Sequence, residues 1–379
     1  MRIPLSAPDI SEEDIQAVTE VLRTSKLSMG PKLEEFEDAL AKYVGASNAI
    51  AVNSGTSGLH LCVRALGIGE GDEVIVPSFA FIAVANVIRY EKAIPVFVDI
   101  EPETLNLDPS RIEAAITRRT RAIIVVHTFG WPADLAVILD IARRHHLHLI
   151  EDACEAIGAE YDGQKVGVFG DAGVFAFYPN KQITTGEGGV VVTQNPEIAV
   201  LVRKLRNQGR GDTEDWFQHS ELGYNYRISD INCALGIGQL KRIQIILDRR
   251  DAIAREYERR LNSHPHLKLP LLAMPNRSSS WFAYAIRLGK RFNQIHRDWI
   301  AKEMTLRGIG CGRYFAPIHL QPIYRCAGMP RRDLPVTESN AERSLALPFF
   351  NRIEGQQMDE VCRTLLELIH LAGDLRRLS

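Results

Sequence analysis

The sequence predicts an α/β protein: a large domain built on a mostly parallel, mixed sheet flanked by helices, then a smaller α+β domain. Three observations carry this. Apolar runs alternate with helix-spaced segments through the first half of the chain. Those runs are continuously apolar, as in strands covered on both faces, and crossovers between them are expected to be right-handed. Near residue 262 the composition shifts to Pro-, His- and Arg-containing connections with a few short strands. The chain has 379 residues, more than one core usually supports, so two domains are expected, at 1–262 and 263–379. The N-terminal helical region is assigned to the first, with packing against the second left open.

Taken in order, Ser11 and Asp14 have capping-box spacing, and Ile15, Val18 and Leu22 recur at helical intervals. A helix near 12–24 follows. "SKLSMGPK" interrupts it, and a second helix is expected near 31–44. "AIAV" (49–52) reads as a strand and "TSGLHLCVRAL" (56–66) as a helix. "DEVIVPS" (72–78) and "AIPVFVDI" (93–100) are strands separated by a helical stretch. "RAIIVVHTF" (121–129) precedes a helix near 134–146, and "LHLIEDA" (147–153) is the next strand. "AGVFAFY" and "GGVVVT" complete the series. One long helical pattern runs from Ser229 to Leu261, and "WFAYAIRL" (281–288) is a strand of the second domain.

Composition excludes several classes. Net charge is −2 and the pI about 6.6, so no bulk basic field exists to hold nucleic acid or an anionic membrane. The clusters Arg118–Arg121 and Arg376–Arg377 are short enough to be solvated helix faces. Six dispersed cysteines, Cys62, Cys154, Cys233, Cys311, Cys326 and Cys362, show no CxxC spacing. Neither a zinc site nor a disulfide framework is expected, which fits a reducing cytoplasm. The N-terminus does not read as a signal peptide, and no apolar run reaches membrane-spanning length.

Ligands of open α/β sheets sit at the carboxyl ends of strands, and four features fall there. "NSGTSGLH" (53–60) links a strand to a helix. The Thr56 and Ser57 amides at that helix start suit a phosphate, and an ordinary capped start is the alternative. Asp152 in "IEDACEAIGA" ends a strand, where it can pair with a protonated ring nitrogen or simply cap a turn. Lys181 in "FAFYPNKQITTGEGGVVVT" can form a Schiff base or be a surface hairpin lysine. Phe81 in "PSFAFIA" can lie against a planar ring or pack in a core. Together the four offer what pyridoxal 5′-phosphate needs, the aspartate keeping the pyridine nitrogen protonated so that the ring draws electrons.

The sequence resembles the sugar-nucleotide aminotransferases of the DegT/StrS family over nearly its whole length. The likeness rests on "IPLSAPDISEEDIQAV", "MGPKLEEFE", "SGTSGLHL", "PSFAFIA", "EDACEAIGA", "KQITTGEGG", "ELGYNYRISDINCALG" and "HLQPIY". It implies the aspartate-aminotransferase-like fold (type I of the pyridoxal-phosphate enzymes). It further implies that Lys181 carries the cofactor as a Schiff base and moves the substrate proton. Asp152 then pairs with the ring nitrogen, Phe81 stacks, and the Thr56 and Ser57 amides hold the phosphate. Glu155, where many relatives have Gln, lies near the cofactor's 3′-oxygen. Asn225 reaches the phosphate in the neighbouring subunit, with Arg227 close by, so a homodimer with shared active sites is implied. His319 and Tyr314 are expected to contact substrate. Many relatives carry a phosphate-binding serine five residues before the lysine, and this chain has Ala176.

The activity implied is transfer of an amino group from L-glutamate to a 3- or 4-keto nucleotide-linked deoxysugar, for aminosugar and surface-polysaccharide (O-antigen) biosynthesis. A related sugar dehydratase would replace the lysine with histidine. A cyclitol or aminohydroxybenzoate route stays open. A cofactor-binding regulator would often add a DNA-binding segment, and none is read here.

Overall fold

The computed structural model describes residues 2–211, 218–325 and 333–374. Cys326, the Arg376–Arg377 pair and residues 212–217 of the loop 210–222 lie outside the described residues.

The N-terminal helices are α1 (Glu12–Leu22) and α2 (Pro31–Val44). At α1 the capping box forms: the Asp14 amide donates to Ser11 Oγ, and the Ser11 amide donates to an Asp14 carboxylate oxygen. The alternating segment follows as β1 (Asn48–Val52), α3 (Gly55–Ala65), β2 (Glu73–Pro77), α4 (Ala83–Tyr90), β3 (Ile94–Val98), β4 (Thr120–Val126), α5 (Leu135–Arg144) and β5 (His148–Asp152). Next come two short strands, β6 (Glu160–Tyr161) and β7 (Gln164–Lys165), then β8 (Ala172–Ala176), β9 (Gly189–Thr193) and α6 (Pro196–Arg206).

The large sheet has seven strands in the order β1-β9-β8-β5-β4-β2-β3. The four junctions from β8 to β3 are parallel. β9 runs antiparallel to both β8 and β1, which makes the sheet mixed. Each strand is almost wholly buried, because helices cover both faces. Two apolar clusters lie against the two faces: one includes Phe36, Leu40, Phe175 and Phe177, the other Leu59, Val63, Val84 and Ile88.

The long helical pattern at 229–261 is two helices, α7 (Asp230–Lys241) and α8 (Ile243–Leu261), separated at Arg242. Neither Gly nor Pro marks the break, so periodicity ran through it. Tertiary contact supplies the cause: the Arg242 guanidinium holds Asp14 at 2.9 Å and the Asp9 carbonyl at 2.8 Å.

The remaining elements are β10 (Leu267–Lys268), β11 (Arg277–Ser278), β12 (Tyr284–Leu288), α9 (Gln294–Leu306), α10 (Pro322–Arg325), α11 (Pro335–Ala341), β13 (Ser344–Leu347) and α12 (Gly355–Asp374). β10, β12 and β13 form a second sheet, and β11 joins β6 and β7 in a third. Strands β12 and β13 share a core with α8, α9 and α12, and Ile3 enters it through a bridge to Ile309. No described helix is long and apolar enough to cross a membrane.

Candidate active site

Strands β8 and β9 bracket a loop, 177–188, that carries Lys181. Phe177 continues the ladder at its base: its amide donates to the Gly188 carbonyl at 2.9 Å, and its carbonyl accepts from the Thr185 amide at 3.0 Å. Thr184 Oγ1 bonds the same carbonyl at 2.9 Å and receives the Gly186 amide. The Lys181 amide donates to the Tyr178 carbonyl. Gln182 then ties the loop to the neighbouring elements, donating to the Glu155 carbonyl at 2.7 Å and Ser280 Oγ at 3.0 Å. Lys181 is therefore presented from a heavily bonded loop.

The glycines of "TTGEGG" have separable tasks. Gly186 has φ +83°, a region costly for residues with a Cβ. Gly189 allows close approach: a Cβ there would stand 2.6 Å from the Ser54 carbonyl carbon and 2.7 Å from the Gly55 nitrogen. The first residue of β9 therefore lies directly against the start of α3. Gly58 does the same one turn later, since a Cβ would meet Val174 Cγ1 at 2.7 Å.

At that helix start Ser54 is the cap. Its Oγ accepts the Ser57 amide at 3.1 Å, and Ser57 Oγ donates to Asn53 Oδ1 at 2.7 Å. Among the described residues, the amides of Gly55 and Thr56 have no partner. The Ser57 amide, expected at the phosphate, bonds the cap here, and the Gly55 and Thr56 amides precede it.

A cavity of about 450 Å³ opens here. Lys181, Asp152, Glu155, Thr56, Phe81 and Tyr314 all line it, as do Gly55, Ala176 and Phe282. Asp152 ends β5. Strand alternation sends it to this side while Glu151 points away. One Asp152 oxygen accepts the Cys154 amide at 3.0 Å, and the Cys154 thiol also bonds the carboxylate, so the turn cap is real. Lys181 Nζ sits 3.7 Å from Glu155 Oε1 and 4.2 Å from the centre of the Phe282 ring. The first distance is an ion-pair separation, too long for a hydrogen bond. Burial pushes the Glu155 carboxyl up; the Lys181 ammonium and the Phe129 amide, which donates at 3.0 Å, offset this in part. Burial likewise pushes up the Cys154 thiol and the Tyr314 phenol.

Behind this wall Glu151 is fully buried and accepts four donors: the amides of Gly167, Phe169 and Gly170 at 2.6–2.8 Å, and His127 Nε2 at 3.0 Å. His127 Nδ1 accepts the Ala133 amide, which assigns the proton to Nε2. This network pins the segment 127–133, including the Phe129 amide that bonds Glu155.

Four expected site residues, Ser57, Asn225, Arg227 and His319, do not line the cavity of this chain. Asn225 is exposed and bridges to Asn207. Arg227 donates to Asn207 Oδ1 at 3.1 Å. His319 is held between Ser78 Oγ at 2.7 Å and Glu338 at 3.1 Å, so both its ring nitrogens are engaged. Phe282 falls in the stretch 281–288 expected to be a strand of the second domain, but the strand begins at Tyr284 and Phe282 lies before it. Nothing in "WFAYAIRL" marked it as a wall over the lysine, because that contact joins elements a hundred residues apart.

The sequence model of the DegT/DnrJ/EryC1/StrS aminotransferase family matches residues 8–366. The chain belongs to this family. It is a pyridoxal-phosphate-dependent aminotransferase. It is 40% identical over 371 residues to the GDP-perosamine synthase of Caulobacter vibrioides, covering 97% of this chain and 98% of that one. Its fold matches the PLP form of Spr1654 from Streptococcus pneumoniae with a TM-score of 0.93 at 27% identity, over 98% and 100% of the two chains. It also matches PseC of Helicobacter pylori, an aminotransferase involved in pseudoaminic acid biosynthesis, with a TM-score of 0.93 at 28% identity over 98% and 100%.

The aminotransferase's own residues fit the cofactor. Open amides at a helix start suit a phosphate. A buried carboxylate that lines the cavity, Asp152, suits a ring nitrogen. A lysine stands in the same cavity, and Asn180 Oδ1, which also lines it, is buried without a partner.

Proposed function

We propose that this aminotransferase moves an amino group from L-glutamate to a 3- or 4-keto nucleotide-linked deoxysugar, in aminosugar biosynthesis in the cytoplasm. The observation that carries the reading is Lys181 in one cavity with Asp152, Glu155 and the open amides of Gly55 and Thr56. Similarity to GDP-perosamine synthase and PseC supports the sugar class.

When bound, the cofactor draws off the electron pair left as the substrate carbon loses its proton. Lys181 takes that proton at Nζ and returns it to the cofactor side. Asp152, whose carboxylate lines the cavity, holds the ring nitrogen protonated. The Gly55 and Thr56 amides, at the positive end of α3, hold the phosphate. Glu155 balances the Lys181 ammonium and, being buried, is the group most readily protonated when that charge is lost. Phe282 and Tyr314 exclude water from one side, and Phe81 covers the ring. Asn225 and Arg227 complete the site of a second subunit. Exposure of Leu222 (80%) and Phe81 (62%) supports such a homodimer. His319, its ring fixed by Ser78 and Glu338, helps with substrate.

The test is to incubate the holoenzyme with glutamate and a panel of 3- and 4-keto nucleotide sugars and find which gains an amine. Amination of one panel member supports the reading. Amination of non-sugar ketones alone would overturn it.

A further inference from the structure

A second cavity, of about 440 Å³, lies between β12, α11 and the segment 265–268. It shares no lining residue with the active-site cavity. Its charged lining is cationic, Lys268, Arg287, Lys290 and Arg343, beside the polar His266, Ser339 and Asn340. Lys268 pairs with Glu103. The other three form no ion pair among the described residues.

Arg287 is the informative member. It sits on a central strand and is only 7% exposed. Burial pulls its basicity down, and a charge in that position is costly without a partner. Its hydrogen bonds run through Nη1 alone, to the Pro102 carbonyl and to Asn340 Oδ1 at 2.8 Å. Nε and Nη2 have no partner among the described residues. Arg343 is held in place by the Leu288 carbonyl at 3.1 Å and by Ser339 Oγ at 2.8 Å. Lys290 is exposed at the rim.

We propose that this cavity is a second ligand site, which binds the phosphate groups of a small phosphorylated molecule. Guanidinium forks match phosphate oxygens. Four cations against one carboxylate, Glu103, which pairs with Lys268 and also acts on Arg287, leave more positive charge than a carboxylate ligand would balance. The size lies in the range of small-molecule pockets and does not admit a helix or a duplex. The shared chemistry is the phosphate group, carried either free or on a nucleoside.

The test uses the full-length holoenzyme in equilibrium binding with three probes: inorganic phosphate, pyrophosphate and ADP. Lys290→Gln is expected to weaken binding of at least one probe by about tenfold, and Lys290→Glu by more, as loss of a charged hydrogen bond implies. The KM values for both substrates stay unchanged, because Lys290 lies outside the active-site cavity. Binding of pyrophosphate without ADP identifies a free phosphate ligand, and tighter ADP binding identifies a nucleotide. A second variant, Asn340→Asp, places a carboxylate beside Arg287 and is expected to block the same probe. The proposal is overturned if the wild type binds none of the probes, or if both Lys290 variants bind them as the wild type does.

Discussion

Gly189→Ala tests whether the lysine loop and the helix start form one unit. The added Cβ would come within 2.6 Å of the Ser54 carbonyl carbon and oxygen and 2.7 Å of the Gly55 nitrogen. These are backbone atoms, so no rotamer change relieves the contact. Overpacking costs about 1–3 kcal/mol, and an obstacle of this kind belongs near the upper figure. The cheapest relaxation lifts α3 from β9, which displaces the open Gly55 and Thr56 amides. Urea unfolding of the cofactor-free protein should therefore show a loss of roughly 2–3 kcal/mol, and cofactor titration should show weaker binding. Gly186→Ala is the control. It strains a backbone of φ +83° but meets nothing closer than 3.6 Å, so it should cost about 1 kcal/mol with a smaller effect on the cofactor. A Gly189→Ala protein of wild-type stability and cofactor affinity would refute the reasoning.

Three further outcomes are expected. Ala176 stands at the same helix start, since a Cβ on Gly55 would meet its Cβ at 2.7 Å; Ala176→Ser should tighten cofactor binding by up to the roughly 1.5 kcal/mol of one charge-assisted hydrogen bond, and titration checks it. Glu155→Gln should stabilise the cofactor-free protein at neutral pH. The folded-state carboxyl is raised, so its contribution to stability is full below the ordinary carboxylate range and is lost as pH rises through the raised value; unfolding across that window should show the variant gaining on the wild type. Glu151→Gln replaces one of two oxygens that share four donors with an NH₂ group, and should cost about 3 kcal/mol or more in unfolding free energy.

Much of the large domain was legible because its elements are set by local signals. The Ser11–Asp14 box, the second helix near 31–44 and the continuous apolar runs each read correctly, since burial on both faces leaves a period-free strand. The antiparallel insertion of β9 and the break at Arg242 depend on contacts between distant segments, and no single window holds them. The site divides the same way. Lys181, Asp152 and Thr56 sit at strand ends or a helix start that the sequence marks. Phe282 and the Glu151–His127 network come together only through the fold. The contact of the Ser57 amide with the Ser54 cap is a further detail that the motif alone does not announce.

Lys181 is the centre of the account, and its role has a direct measurement. Borohydride reduction of the holoenzyme locks the cofactor onto its lysine, and peptide mapping reads the position. The account predicts label on Lys181 alone, and none in Lys181→Ala. Label on any other lysine, with Lys181 unmodified, would contradict it.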